Sequence, residues 1–228
     1  MKILGISPLD KDATVSLVED GKILFAAGEE RFSRTKLQDG FPTLALEKAL
    51  EYTNTRLDEI DIVAYPFMTW EQETKLFEKN LANEAQFMKE FEEPALQAMM
   101  AAAEKRIPHR TENIKGLKNP NETMKKGFLH NVFYRFAGGE SILSRNAAAR
   151  GSRIWGQQAT EYHRHWQDVL DSNLAELGLK DKLKRIDHHL SHAANAFLTS
   201  GFERALIVTL DGYGTGLAGS VSEGRDGK

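Results

Sequence analysis

The sequence predicts an α/β fold built from a repeated unit, on three observations. Residues 2–28 read as three consecutive short strands. A long helical middle follows. Residues 205–228 then return to strand, glycine-rich turn and strand. Two hairpins separated by helices point to a duplicated architecture. Residues 1–204 form its first half, with a helical insertion at about 70–180, and residues 205–228 open a second half.

Each element has a local cause. "KILGISP" is β-rich, and "LDKDA" is a polar turn. "TVSLVE" alternates apolar and polar residues, as a half-buried strand does. The Asp-Gly of "EDGK" favours a tight hairpin, which makes "KILFAAGE" a third, antiparallel strand. "FPTLALEKALEY" reads as a helix with Pro42 at its first turn. "IDIVAYP" is a short buried strand. Residues 70–107 carry helical patterning rich in Glu, Lys, Ala and Met, and residues 109–123 have loop composition. Residues 123–150 and 157–177 read as two further helices, the second closed by Gly178. "KLKRID" is a strand, "LSHAANAFLTS" a helix closed by Gly201, and "RALIVTLDG" a buried strand. The final "EGRDGK" is a turn with no strand after it, so the second half reads as interrupted.

Composition narrows the function classes. The 228 residues suffice for a real core. A net charge of −3 gives no basic footprint for nucleic acid. The absence of cysteine excludes disulfides, thiolate metal sites and a cysteine nucleophile, and it fits a cytoplasmic protein. No apolar run approaches the ~20 residues that span a bilayer, and "MKILGISPLD" lacks the features of a signal peptide.

Three stretches carry candidate chemistry. "IDHHLSHAANAF" crowds three of the seven histidines into five positions. His188 and His192 are four apart, so on a helix their imidazoles share a face and can hold one metal ion. A helix N-terminus disfavours imidazolium and so keeps such ligands neutral. His189 points elsewhere. Asp211, at the end of a predicted strand, can complete a two-His, one-Asp set, which suits iron, zinc or manganese. In "DGYGTG", Gly212 and Gly214 let backbone amides approach an anion closely, and "SPLDKDAT" is the equivalent turn of the first hairpin. "EERFSRTK" offers Arg31, Arg34 and Lys36 as anchors for a phosphate or a polarised carbonyl.

Together these stretches resemble the O-carbamoyltransferase family, which includes nodulation and antibiotic-tailoring carbamoyltransferases. The residues that carry the resemblance are "DATVSLVEDGKILFAAGEERFSRTK" followed by "FP", then "DHHLSHAANAF", then "ALIVTLDGYG". The resemblance implies a duplicated actin-like, or sugar-kinase-like, ATPase domain with a ribonuclease-H-like mixed sheet, followed by a C-terminal adenylate-forming domain as partner. It implies that carbamoyl phosphate and ATP become a carbamoyl-adenylate, and that the carbamoyl group then passes to a hydroxyl of a small-molecule acceptor beside a bound divalent metal. His188, His192 and Asp211 match the metal ligands, Lys36 a lysine near the carbamoyl group, and Gly212 and Gly214 a turn near the adenylate. Family members run well beyond the length of this chain.

One position departs from the pattern. The family carries a histidine before its "DAS"-like triplet, where this chain has Lys11 before Asp12, Ala13 and Thr14. If that histidine is the base or the acceptor-orienting group, this chain lacks it, and Lys11 can serve only with its pKa pulled down by burial or nearby charge; Asp12 beside it is the second catalytic candidate on this turn. Two alternatives follow: a non-catalytic homologue that binds nucleotide or a partner, and a relative acting on transfer RNA, against which the acidic charge balance speaks. The helical insertion is expected to shape the acceptor pocket or a subunit contact, as in a homodimer.

Overall fold

A computed structural model of the chain describes residues 1–90, 98, 102 and 142–227. The loop expected at 109–123, and the start of the helix expected from 123, lie outside the described residues. The chain forms two compact units, Met1–Asn80 with Gly156–Lys228, and Leu81–Trp155.

The first unit is organised around a mixed five-stranded sheet. Its strands are β1 (Lys2–Ile6), β2 (Thr14–Glu19), β3 (Lys22–Gly28), β4 (Ile62–Tyr65) and β5 (Leu183–Arg185), in the order β3-β2-β1-β4-β5. β1 to β3 form the expected antiparallel meander, with Ile6 opposite Val15 and Thr14 opposite Gly28. Asp20 and Gly21 both have positive φ, at 48° and 79°, which is the two-residue turn an Asp-Gly pair favours. β4 and β5 add in parallel, with Leu4 beside Val63 and Val63 beside Leu183. The α/β class expected from the sequence is therefore present, as a mixed sheet with helices.

One face of this sheet holds the core. Leu4, Ile6, Val15, Leu17, Val63 and Tyr65 point into it. Helix α2 (Thr43–Thr53) covers them with Ala45, Leu46 and Ala49. Glu29, at the end of β3, starts that helix: its carboxylate accepts from the amides of Leu44 and Ala45 at 3.0 and 2.7 Å. Leu170 and Leu174, one turn apart on α4 (Ile142–Glu176), complete the cluster. A short helix α1 (Glu30–Ser33) follows β3.

The helical segments differ from expectation in one respect. α3 spans Trp70–Glu90, and α4 runs unbroken through Gly151 and Gly156 rather than starting anew near residue 157. A helix interior tolerates glycine at about 1 kcal/mol each, which a helix of 35 residues absorbs. Gly156 also has a packing cause. A Cβ there would overlap the Phe77 ring of α3, whereas nothing surrounds Gly151 within 4 Å.

Helix α5 (His188–Leu198) follows β5, and β6 (Arg204–Gly214) and β7 (Leu217–Arg225) form a separate hairpin. β6 was expected to be buried, yet Leu206 and Leu210 are 74% and 86% exposed. The hairpin packs α5 against one face only, through residues such as the buried Thr209. The alternate positions therefore face solvent. Among the described residues no helix is long and apolar enough to cross a membrane.

The two α4 glycines separate packing from helix propensity. Gly151→Ala is expected to raise stability by about 0.5–1 kcal/mol in urea unfolding, and Gly156→Ala to lower it by about 1–3 kcal/mol. Equal gains from both would show that Phe77 does not fill the space at 156.

Candidate metal centre

The sheet gathers chemistry at one end. The parallel strands β1, β4 and β5 finish there, and β3, antiparallel to β2, finishes there too. Loops beyond the carboxyl ends of parallel strands are where α/β sheets place ligands. The β1–β2 turn with Lys11 and Asp12, the segment after β3 with Arg31, Arg34 and Lys36, and α5 after β5 all leave from this end.

α5 starts where the sequence allows it to. Asp187 is its N-cap, with a carboxylate oxygen accepting from the Leu190 amide at 2.8 Å. His188 and His192 thus fall on successive turns of the first half of the helix. Their Nε2 atoms lie 3.0 Å apart. Asp211 reaches them from β6, with Oδ2 at 2.7 Å from His188 Nε2 and 3.4 Å from His192 Nε2. These three ligand atoms are the one group among the described residues that could hold a metal ion.

A break in strand register aims Asp211. Leu210 pairs with Gly219 and Gly214 with Leu217, so residues 211–213 oppose a single residue of β7. Such bulges re-aim side chains next to functional sites. The chain then reverses through Thr215 and Gly216, both at positive φ, 51° and 77°. "DGYGTG" is therefore a bulge followed by a two-residue turn, not one open loop.

His188 is held on every side. Its Nδ1 lies 3.3 Å from the Pro66 carbonyl, to which it donates, so the proton sits on Nδ1 and the Nε2 lone pair faces Asp211. The Phe67 ring packs at 4.6 Å between centroids. Gly214 closes the other side, where a Cβ would overlap the imidazole. His189 turns away, as expected. It is 2% exposed and ties α5 to the hairpin, with Nε2 donating to the Leu217 carbonyl at 3.2 Å and Nδ1 accepting from the Thr209 hydroxyl at 3.1 Å.

The donor set fits a divalent ion. Ligands about 2.1 Å from one ion at ordinary bond angles lie about 3.0–3.4 Å apart, close to the observed separations. Burial pushes the Asp211 carboxyl up, but the adjacent imidazoles of His188 and His192 and a hydrogen bond from the Gly212 amide outweigh it and hold the group below its ordinary range. The group is thus an anion across neutral pH, as a ligand must be. Two imidazoles and one carboxylate without sulfur suit iron, zinc or manganese.

The charged candidates sit at the same sheet end but are not drawn into this cluster. Lys36 is 79% exposed and pairs with Glu30 at 2.8 Å, and Arg31 approaches the same carboxylate at 3.9 Å. The hydrogen bond from Lys36, and one from the Leu37 amide, hold Glu30 below its usual range. Arg34 ends α1 in a left-handed conformation, and Lys11 and Asp12 are exposed on the β1–β2 turn. Gly212 donates its amide to Asp211 Oδ1 at 2.6 Å, and Gly214 abuts His188, so both serve the cluster directly. Sequence reasoning missed Pro66, Phe67 and the pair formed by the buried Glu73 on α3 and the half-buried His163 on α4, whose Nδ1 lies 2.8 Å from both carboxylate oxygens. Glu73 and His163 are 90 positions apart and leave no local motif.

Residues 2–227 match the carbamoyltransferase N-terminus family, and the chain belongs to it. The chain is 28% identical over 231 aligned residues to the uncharacterized protein sll1178 of Synechocystis sp., covering 98% of this chain and 27% of that protein. It is 24% identical over 213 residues to the nodulation protein NolNO of Sinorhizobium fredii, covering 93% of this chain and 21% of that protein. The chain therefore spans about a quarter of the length of these relatives.

Titration with cobalt(II) checks the centre. The chain is expected to bind one equivalent, with affinity reduced at least about 100-fold in Asp211→Ala and about tenfold in Gly214→Ala, which crowds the His188 ring. Affinity indifferent to both substitutions would place any bound ion elsewhere.

Proposed function

We propose that this chain is the N-terminal part of an ATP-dependent O-carbamoyltransferase, acting on a hydroxyl of a small-molecule acceptor. The observation that carries this reading is the convergence of His188, His192 and Asp211 at the carboxyl end of the sheet, in a chain that matches the carbamoyltransferase N-terminus family from end to end. The mixed sheet followed by a second hairpin supports an actin-like architecture, with residues 1–204 as the first half and 205–228 as the start of the second. A C-terminal adenylate-forming domain is the proposed partner, making carbamoyl-adenylate from carbamoyl phosphate and ATP.

In the transfer step the acceptor oxygen bonds to the carbamoyl carbon. The bond from that carbon to the adenylate phosphate oxygen breaks, AMP leaves, and the hydroxyl proton passes to a base. A divalent metal, when bound, would supply Lewis acidity and neutralise phosphate charge, and His188, His192 and Asp211 would hold it. Lys36, at the same sheet end, supplies a positive charge for the carbamoyl oxygen, and its Glu30 partner keeps that ammonium near the β3 terminus. Arg31 and Arg34 anchor phosphate oxygens. Lys11 and Asp12 occupy the turn that supplies the base for the acceptor proton.

A specific observation favours a second reading. Lys11 stands exposed where the family places a histidine, as in a homologue that binds nucleotide without transferring the group.

The protein that carries this chain, given carbamoyl phosphate, ATP and a panel of hydroxyl acceptors, is expected to form a carbamate ester detectable by mass spectrometry. Lys36→Ala is expected to slow transfer by about 100-fold. No ester with any acceptor, together with new activity in Lys11→His, would favour the binding homologue instead.

A further inference from the structure

Three residues of α3 meet the turn that carries Asp211. Glu73, Phe77 and Asn80 follow one another at spacings of four and three, so they lie on one face of the helix. Asn80 Nδ2 donates to the Gly216 carbonyl at 2.9 Å. The Phe77 backbone lies so close to Gly216 that a Cβ there would stand 3.2 Å from its nitrogen. Tyr213, two residues after Asp211, packs its ring 5.6 Å from that of His163, the imidazole bound to Glu73. Burial, then the charge of Glu73 and a hydrogen bond to it, raise the Tyr213 phenol well above its ordinary range.

Two features show that this turn is held, not merely touched. Thr215 is β-branched, 1% exposed and at φ 51°, a conformation that such residues adopt only where the surroundings enforce it. Glu73 itself is fully buried in unit Met1–Asn80, Gly156–Lys228, with the cost of desolvation that a buried carboxylate carries. Without Glu73 the His163 imidazole would lose its partner on α3.

Resting on the metal-centre reading above, we propose that Glu73 is a positioning residue for Asp211. Through His163 and Tyr213, and aided by Phe77 and Asn80, it fixes the bulge and turn so that the Asp211 carboxylate meets His188 and His192. The α3 face thus acts on the site through the hairpin and not by contact with the reacting groups.

Cobalt(II) affinity and amide hydrogen exchange of residues 211–216 test this, on the full chain at a temperature well below unfolding. Glu73→Leu leaves His163 without its partner and is expected to lower stability, and well below unfolding to weaken cobalt binding about tenfold and speed exchange of the turn. Asn80→Ala, which removes only the bond to Gly216, is expected to act in the same direction. Glu73→Gln, which preserves shape and keeps one acceptor oxygen for His163, is expected to stay within about threefold of the unaltered chain. Unchanged affinity and exchange in both Glu73→Leu and Asn80→Ala would overturn the positioning role while leaving the metal centre intact. No cobalt uptake by the unaltered chain would overturn the metal centre and the positioning role together.

Discussion

Two imidazole nitrogens and a carboxylate oxygen, each able to present a lone pair, lie 2.7, 3.0 and 3.4 Å apart. Such atoms repel unless a positive centre sits among them. A single proton satisfies one pair of the three, whereas a divalent ion satisfies all of them at once. The Pro66 carbonyl reinforces the demand, because it draws the His188 proton to Nδ1 and leaves Nε2 bare toward Asp211. The rest of the site is organised to sustain this convergence.

Both sides of the convergence depend on a departure from regular structure. On the helix side, Asp187 caps α5 so that the first helical residue is already a ligand. On the strand side, the shift in register after Leu210 turns Asp211 toward the helix, and Gly214 lets the hairpin approach the His188 ring. His189 then locks the two elements by bonding to Thr209 and the Leu217 carbonyl from within. A fully regular β6, or a helix started one residue later, would separate the ligands. Function and local irregularity coincide here, as is common at sites under geometric constraint.

Much of this was readable in the sequence where the signal is local. The i, i+4 spacing of His188 and His192, the Asp-Gly hairpin at 20–21 and the alternation of "TVSLVE" each express a backbone period. What could not be read depends on partners distant in the chain. Glu73 and His163 meet only because α3 and α4 pack together, and Glu29 finds the start of α2 only through the tertiary fold. The bulge at 211–213 depends on the register of β7, which the residues of β6 alone do not fix. The burial of β6 was overestimated for a related reason. An apolar run implies neighbours on both faces, and this hairpin has α5 on one.

X-ray absorption spectroscopy of the chain loaded with one equivalent of metal tests the central claim most directly. Two imidazole nitrogens and at least one carboxylate oxygen are expected around the ion at about 2.0–2.2 Å. Loss of the imidazole scattering is expected in a His188→Ala, His192→Ala double variant. A shell of oxygen alone, or one unchanged in that variant, would contradict the claim.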